Sequence, residues 1–319
     1  METRAFRDLR FSTLVLGTVQ LGLPYGIANT TGQPAFLDVL DILSAAVEGG
    51  VTCLDTAAVY GESETVLGKA LAELGLTDTM IVATKVTQLA AEGISARQAD
   101  GIVEQSVLRS LRNLRRDRLD LCLFHLEGNF LLYADSLLKM REKGLVRYVG
   151  SSVNFPGPAA EILRTGRAEA LQMPTSILDH RFLRAGIPAL AAGCNAALFV
   201  RSIYLQGLLL MPEASIPAEQ AAVIPVRHAL ESIAADAGMG LRELAVRHML
   251  SVPGITALVV GVETAQQMRD NVTLFGKGPL DDALRARVDQ AVPDLPDAIL
   301  FPGTWAKKMT VKPVTGGSS

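Results

Sequence analysis

The sequence lacks the features that would place it in several specialised classes of protein. Its three cysteines, Cys53, Cys122 and Cys194, are an odd number among 319 residues and show no C-x-x-C spacing, so neither a disulfide scaffold nor a metal site is expected. The longest apolar runs fall short of the roughly 18 residues that a membrane span needs, and the first residues include no apolar signal segment. A formal net charge of -3 offers no basic field to nucleic acid or to an anionic membrane. We therefore expect a cytoplasmic protein with reduced cysteines, not bound to nucleic acid or membrane.

The chain is 49% hydrophobic and 20% charged, which is ordinary for a globular protein. Along the sequence, short apolar runs alternate with longer amphipathic stretches. Short runs, apolar on both faces and bounded by polar residues or glycine, are typical of buried parallel strands. They predict strands at 14–16, 52–54, 80–84, 119–124, 148–150, 170–172, 197–200 and 257–260. Longer amphipathic stretches predict helices at 35–48, 63–74, 96–114, 130–143, 157–164, 183–192, 220–237, 241–251 and 265–275, with another after Pro279.

Strict alternation of strands and helices predicts an α/β fold with a parallel sheet, either doubly wound or closed into a barrel. A doubly wound dinucleotide-binding fold should show G-x-G-x-x-G after its first strand, but Gly17 is followed by T-V-Q. We therefore expect a single-domain (β/α)8 TIM barrel over residues 1–300, followed by a tail at 301–319. In such a barrel the residues that follow the strands form the active face.

Ionisable residues follow three consecutive predicted strands. Asp55 ends the second strand, Lys85 ends the third and His125 ends the fourth, while Tyr60 lies in the loop directly after Asp55. Each of these residues taken alone is more often a helix cap, a solvated lysine or a structural histidine. Because consecutive barrel strands end on one face, we expect the four side chains to meet there.

Together these groups could transfer a proton. A tyrosine hydroxyl ordinarily has a pKa of about 10, and a neighbouring ammonium lowers such a pKa by favouring the phenolate. Asp55 beside Lys85 would keep the buried lysine charged, and His125 could hydrogen-bond the oxygen of a substrate. The hydride that would accompany this proton must come from a cofactor.

At this point the chain resembles the aldo-keto reductase family over about residues 14–271. The segment 55–64 reads D-T-A-A-V-Y-G-E-S-E and is similar to that family's D-T-A-x-x-Y-G-x-S-E motif, and Lys85 and His125 follow in the family's order. The resemblance implies that Tyr60 is the general acid, that Lys85 and Asp55 tune it, and that His125 orients the carbonyl group.

The same resemblance implies a set of cofactor-binding positions, spread over five of the eight predicted strand ends. They are Gly17, Thr18, Ser152, Gln172, Arg201, Ser202, Gln206, Gly207, Gly261, Glu263, Gln267 and Asn271. Two positions depart from the family pattern. Val153 stands where relatives have a carboxamide-binding asparagine, with Asn154 one residue late, and Arg201 stands where many relatives place an aromatic residue against the nicotinamide.

The choice between nicotinamide cofactors stays open at this stage. Relatives that prefer NADP(H) often carry a cation near Glu263 for the 2′-phosphate, whereas a carboxylate there would accept ribose hydroxyls, as acidic residues do in NAD sites. Alternatively, Glu263 points to solvent and Arg269 supplies the cation. The family default favours NADP(H), with NAD(H) as the alternative.

The expected substrate is a small carbonyl compound or alcohol, and the expected state is a monomer or a weak homo-oligomer. The loop 19–29 and the segment 205–209 resemble a bacterial subgroup linked to surface-sugar biosynthesis, which suggests a sugar-like substrate, with Tyr25 in its vicinity. Three alternatives remain: a nicotinamide-binding regulatory subunit, a redox-neutral epimerase and a lyase that uses Lys85 as a Schiff base. Asp55 argues against the last one, because it would keep Lys85 charged and therefore not nucleophilic.

Overall fold

The computed structural model describes residues 1–25, 32–90, 93–302 and 305. The strands are β1 (Thr3–Phe6), β2 (Leu9–Ser12), β3 (Leu14–Gly17), β4 (Cys53–Asp55), β5 (Ile81–Lys85), β6 (Leu119–Phe124), β7 (Val146–Ser152), β8 (Ala170–Pro174), β9 (Ala197–Arg201) and β10 (Ala257–Gly261). Strands β3 to β10 are parallel neighbours in chain order, and β10 closes the ring by pairing with both β9 and β3. The predicted eight-stranded (β/α)8 barrel is confirmed.

Helices surround this barrel. They are α1 (Phe36–Glu48), α2 (Ser63–Glu73), α3 (Ala96–Leu114), α4 (Glu127–Glu142), α5 (Pro156–Arg164), α6 (Arg181–Arg184), α7 (Ile187–Gly193), α8 (Ile224–Asp236), α9 (Leu241–Leu250), α10 (Ala265–Phe275), α11 (Asp282–Ala291) and α12 (Asp297–Leu300). The largest apolar cluster lies between the outward faces of the strands and these helices, as in other barrels of this kind. Helices α11 and α12 pack outside the barrel in a second apolar cluster that includes residues of α8.

Two predicted helices have different bounds in the structure. The stretch 183–192 is divided into α6 and α7, because Gly186 between them has a φ of 69°, which a continuous helix cannot accommodate. The stretch 220–237 forms an α-helix only from Ile224 onward, and Pro225 stands in the first turn, where its missing N–H costs nothing.

The antiparallel hairpin β1–β2 closes the end of the barrel where the parallel strands begin, and sequence reasoning did not predict it. Phe11 is fully buried, and together with Phe6 and Leu9 it packs against residues inside the barrel. The ring of Phe11 meets that of Phe199 in β9 edge to face, with centroids 5.1 Å apart. The barrel interior is therefore filled at this end, and the cavity described below lies at the opposite one.

Two compositional expectations can be compared with the structure. All three cysteine thiols are free, and burial raises the pKa of both Cys53 and Cys122. Within the described ranges no helix is long and apolar enough to cross a membrane. The predicted tail from residue 301 lies outside the described residues except for 301, 302 and 305, so the division at residue 300 stays a prediction.

A buried pair of histidines joins the barrel to helix α11. The ring of His180, in the turn after β8, stacks on that of His248 in α9, with centroids 5.6 Å apart. His248 Nε2 lies 2.7 Å from a carboxylate oxygen of Asp289 in α11, whereas His180 Nε2 is buried and has no hydrogen-bond partner within the described part of the chain. Burial and then the neighbouring His248 lower the pKa of His180 to about 4. Protonation of His180 is therefore unfavourable in the folded state.

We expect His180 to make the protein less stable in mild acid. An exposed histidine has a pKa of about 6.5, so the unfolded chain takes up this proton first, and stability falls between about pH 6.5 and pH 4. The free energy of unfolding at pH 5 should be lower than at pH 7.5 by about 2 kcal/mol from this group. The measurement is urea unfolding at both pH values, with His180→Asn expected to show the smaller difference. An unchanged pH dependence in His180→Asn would contradict this prediction.

Candidate active site

A cavity of about 990 Å³ opens at the carboxyl ends of the barrel strands. Its wall includes the last residue of several strands, among them Gly17 of β3, Asp55 of β4, Arg201 of β9 and Gly261 of β10. This is the face on which parallel barrels build their active sites. The order of the strands therefore brings residues from distant parts of the chain around one space.

A buried ion pair lies at the bottom of this cavity. Lys85 Nζ lies 2.8 and 2.9 Å from the two carboxylate oxygens of Asp55 and donates a third hydrogen bond, of 2.9 Å, to the carbonyl oxygen of Thr56. Gln172 Nε2 donates to Asp55 Oδ1 over 2.8 Å. Burial by itself would lower the pKa of Lys85, but Asp55 and then Tyr60 outweigh it, and this pKa is raised. Lys85 is thus held as an ammonium ion, with all three of its donors satisfied.

Tyr60 and His125 lie on either side of the approach to this ion pair. The ammonium of Lys85 is 5.2 Å from the centroid of the Tyr60 ring. The rings of Tyr60 and His125 meet edge to face, with centroids 5.8 Å apart. The structure therefore brings all four predicted catalytic residues together, with Tyr60 and His125 on the cavity wall and Lys85 behind them.

Buried hydroxyl groups hold the turn that carries Tyr60. Ser63 Oγ donates to the carbonyl oxygen of Thr18 over 2.7 Å and lies 2.9 and 3.0 Å from the hydroxyl oxygens of Thr18 and Thr56. Gly22 packs so closely on this turn that a β-carbon there would be 1.9 Å from the carbonyl oxygen of Tyr60. The backbone around Tyr60 is therefore fixed from two sides.

His125 is a neutral imidazole in this environment. Burial first, and then the positive charges of Lys85 and Arg201, lower its pKa to about 3. Its Nδ1 atom is buried and has no hydrogen-bond partner among the described residues. A neutral imidazole can donate one hydrogen bond to a substrate oxygen without carrying a charge.

The twelve predicted cofactor positions all lie on the wall of the same cavity. Ser152, at the end of β7, is 3% exposed, and Gln172 is already bonded to Asp55. Val153 turns away and belongs to the core between barrel and helices, whereas Asn154 faces the cavity. The asparagine that is one residue late in the sequence is therefore the one that reaches the site.

Arg201 is the cation nearest to the catalytic group of residues. Its Nη2 atom donates to Asn154 Oδ1 over 2.8 Å and to the carbonyl oxygen of Val153 over 3.2 Å, and Asn154 in turn donates to Glu127. Burial lowers the pKa of Arg201 from its usual value. Its positive charge contributes to keeping His125 neutral.

The loop after β9 has an unusual backbone. Ser202, Leu205, Gln206 and Gly207 all have positive φ angles, of 63°, 49°, 53° and 99°. For residues other than glycine such angles cost about 1–3 kcal/mol each and are concentrated at functional sites. Loops of this kind turn backbone N–H groups toward anions. Gln206 also donates a hydrogen bond to the Tyr25 hydroxyl across the cavity, over 3.3 Å.

Sequence reasoning missed Arg242 in the first turn of α9, which reaches the wall of the cavity formed by β10 and α10. Its Nη2 atom donates to Asn271 Oδ1 over 2.6 Å, and Glu263 and Gln267 line the same part of the cavity. A single arginine near the start of an amphipathic helix gives no signal of its own. Only the packing of α9 beside α10 reveals its position.

A closed parallel barrel with a buried Lys–Asp pair, a tyrosine and a histidine at its strand ends defines an oxidoreductase site of a known class. The family model described as the Aldo/keto reductase family matches residues 13–293. The chain therefore belongs to the aldo-keto reductase family, whose members are oxidoreductases that use nicotinamide cofactors to interconvert carbonyl and alcohol groups.

Similar proteins agree with this assignment. An uncharacterized oxidoreductase of Bacillus subtilis, YqkF, is 25% identical over 284 residues, covering 83% of this chain and 87% of that protein. D-arabinose 1-dehydrogenase of Saccharomyces cerevisiae is 32% identical over 147 residues, covering 45% of this chain and 42% of the yeast protein. The holo form of aldo-keto reductase AKR11C1 from Bacillus halodurans superposes with a TM-score of 0.75 at 23% identity, over 92% of this chain and 97% of that one. The last comparison shows the shared fold.

We expect the Lys85–Asp55 pair to be a stability requirement as well as a part of the site. Asp55→Asn leaves a buried ammonium without its carboxylate, which typically costs about 3–5 kcal/mol. Adding Lys85→Met should recover part of this loss, because the unpaired charge disappears. Urea unfolding of both single variants and the double variant measures the coupling energy, which should exceed about 1 kcal/mol. The control is Glu104→Gln, which breaks an exposed ion pair with Lys143 and should lower the free energy of unfolding by less than about 1 kcal/mol. If the losses of stability in the two single variants simply add in the double variant, Asp55 and Lys85 are not coupled.

Proposed function

We propose that the protein reduces the carbonyl group of a small aldehyde or ketone, or oxidises the corresponding alcohol, with Tyr60 as the general acid and base. The observation that carries this proposal is the contact of Tyr60 with both a buried ammonium and a neutral imidazole. Tyr60 borders the cavity, so its hydroxyl is available to a bound substrate. The nicotinamide cofactor would supply or accept the hydride.

In the reducing direction, Tyr60 gives its proton to the oxygen of the substrate as the alcohol forms. The phenolate that is left would be stabilised by the Lys85 ammonium, 5.2 Å from the ring centroid. Asp55 keeps Lys85 charged and in position through two hydrogen bonds, so it acts through Lys85 and not on the substrate. Since Lys85 has no free donor or lone pair, it is unsuited to Schiff-base chemistry.

His125 would orient the substrate by donating a hydrogen bond to the same oxygen. Because its pKa is lowered to about 3, His125 stays neutral at physiological pH. It therefore adds no positive charge next to the carbonyl group that would accept the hydride. The two donors, Tyr60 and His125, lie edge to face and can converge on one oxygen atom.

The cavity wall suits a dinucleotide with a negatively charged pyrophosphate. It carries hydroxyl, carboxamide and guanidinium donors, and the loop 202–207 has the left-handed residues that favour anion binding. We propose that Ser152, Asn154 and Gln172 contact the carboxamide of the nicotinamide, and that Gly17, Thr18 and Arg201 also lie on the nicotinamide side. Ser202, Gln206 and Gly207 would line the pyrophosphate, and Gly261, Glu263, Gln267 and Asn271 would lie at the adenosine half of the cofactor. NADP(H) is the proposed cofactor, with NAD(H) as the alternative.

A polyhydroxylated, sugar-like substrate is the proposed substrate class. Two similar proteins have names that refer to such compounds: the yeast D-arabinose 1-dehydrogenase, and the glycerol dehydrogenase AKR11B4 from Gluconobacter oxydans, which superposes with a TM-score of 0.73 at 23% identity. The cavity contains polar groups beyond the catalytic residues, including Gln88 and Tyr25, that could bind hydroxyl groups. Of the loop that was expected near the substrate, residues 26–29 lie outside the described residues.

Replacing Tyr60 by phenylalanine should remove the proton donor and leave the cavity intact. We expect kcat for reduction of an activated aromatic aldehyde to fall by roughly two orders of magnitude or more, the usual contribution of a general acid. The measurement is NADPH and NADH oxidation by the purified protein, with nucleotide affinity determined separately by fluorescence titration. Nucleotide affinity should change little.

The matched control is Tyr148→Phe, which removes a hydroxyl group at the opposite end of the barrel, where Tyr148 bonds Asp8. Its turnover should remain near that of the wild type. Wild-type protein that binds nucleotide but reduces no carbonyl in a wide panel would refute the reductase proposal and favour a regulatory subunit. Conversion of a sugar without net cofactor oxidation would instead favour a redox-neutral epimerase.

The pH dependence of the reaction tests the state of His125. Because its pKa is lowered to about 3, His125 should not titrate where an ordinary histidine does. The value of kcat/KM for aldehyde reduction should therefore show no histidine-dependent limb between about pH 5 and pH 7. His125→Gln should lower the whole profile without changing its shape in this range. A wild-type limb near about pH 6.5 that disappears in His125→Gln would show that the imidazole is charged during turnover.

A further inference from the structure

Two arginines could supply a cation to the β10–α10 side of the cavity, and the structure separates them. Arg269 lies exposed on α10 and is absent from the described residues that line the cavity. Arg242 is half-buried, lines the cavity, and is hydrogen-bonded to Asn271, which is 2% exposed. Of these two arginines, Arg242 is therefore the one that borders the cavity, and it belongs to a different helix from Arg269.

Among the residues that the structure describes, the guanidinium of Arg242 has no acidic partner. Among the ion pairs of the described chain, Arg247 in the same helix pairs with Glu243 over 3.1 Å, but none includes Arg242. It donates a hydrogen bond to the carboxamide oxygen of Asn271, which is a neutral group. It also interacts with the Tyr204 hydroxyl, where it partly offsets the rise in the pKa of Tyr204 that burial causes. Glu263 borders the same cavity but forms no ion pair with it. A partly buried cation without a counter-ion is costly unless an anion binds to it.

We infer that Arg242 is the residue that selects the adenosine 2′-phosphate of NADP(H), and this inference rests on the proposed nicotinamide-dependent function. Gln267 and Asn271 lie where the adenosine half of the cofactor is proposed to bind, and Arg242 is the cation on that side. A guanidinium group can bind a phosphate through two parallel hydrogen bonds, which a ribose hydroxyl cannot match. Glu263 acts in the opposite sense, because its carboxylate repels a phosphate in the same space.

The structure also gives Asn271 a role that depends on Arg242. One Nη2 hydrogen bond holds the Asn271 carboxamide oxygen, so the amide nitrogen of Asn271 stays available to the cavity. Loss of Arg242 could therefore weaken binding of any adenosine nucleotide through Asn271. The ratio of affinities for ligands with and without a 2′-phosphate isolates the role of the charge from this positioning role.

The test measures the binding of the adenosine half alone, by isothermal titration of the full chain with adenosine 2′,5′-bisphosphate and with AMP. The wild type should bind the bisphosphate at least about tenfold more tightly than AMP, since hydrogen bonds to charged groups contribute about 10- to 100-fold. Arg242→Leu should bring this ratio close to one, and Arg242→Lys should give an intermediate ratio. Glu263→Gln should increase the ratio. The preference should also weaken as salt concentration rises.

Arg269→Ala is the matched control, because it removes an arginine on the neighbouring helix and should leave the ratio unchanged. A preference that survives in Arg242→Leu, or one that is lost in Arg269→Ala, would overturn the inference. A wild-type ratio near one, in a protein that still reduces aldehydes with NADH, would overturn it and leave the reductase proposal standing. Failure to bind either nucleotide together with failure to reduce any carbonyl would refute both.

Discussion

The ion pair between Lys85 and Asp55 is the interaction on which the site depends. It joins the last residues of two neighbouring strands, β4 and β5, and it is almost completely shielded from water. In that setting burial alone would lower the pKa of an ammonium, and Asp55 is the main reason why the pKa of Lys85 is raised instead. Gln172 from β8 and the carbonyl oxygen of Thr56 complete the hydrogen bonds around them. The positive charge beside Tyr60 is therefore a product of the closed barrel.

The electrostatics of the other site residues follow from this pair. Burial, Lys85 and Arg201 together lower the pKa of His125, so its imidazole is neutral. The same Lys85 ammonium lies 5.2 Å from the centroid of the Tyr60 ring. One buried cation thus faces both of the aromatic side chains that border the cavity beside it.

The elements that the sequence predicted well are those with strong local patterns. Buried parallel strands are short and apolar, and the ionisable residues Asp55 and Lys85 stand out because the strand residues before them include no charged side chain. The motif around Tyr60 is also local, and the structure explains its last two residues. Ser63 holds the turn through the hydroxyl groups of Thr18 and Thr56, and Glu64 accepts a buried hydrogen bond from Thr84.

What could not be predicted depends on contacts between distant parts of the chain. The strands of the β1–β2 hairpin are four residues each, too short for a clear pattern in the sequence. Their apolar side chains are buried by residues from distant strands inside the barrel, which the local sequence does not indicate. Arg242 is one of many arginines until α9 packs beside α10. The break at Gly186 depends on a backbone angle that the amphipathic pattern of 183–192 conceals.

The hairpin also has a consequence for the order of events during turnover. Because it fills the amino end of the barrel, Tyr60 borders a cavity at the carboxyl end. If two reactants enter through the same opening, the one that lies deeper has to enter first and leave last. A filled floor can in this way impose an order of binding and release on chemistry that takes place at the other end of the barrel.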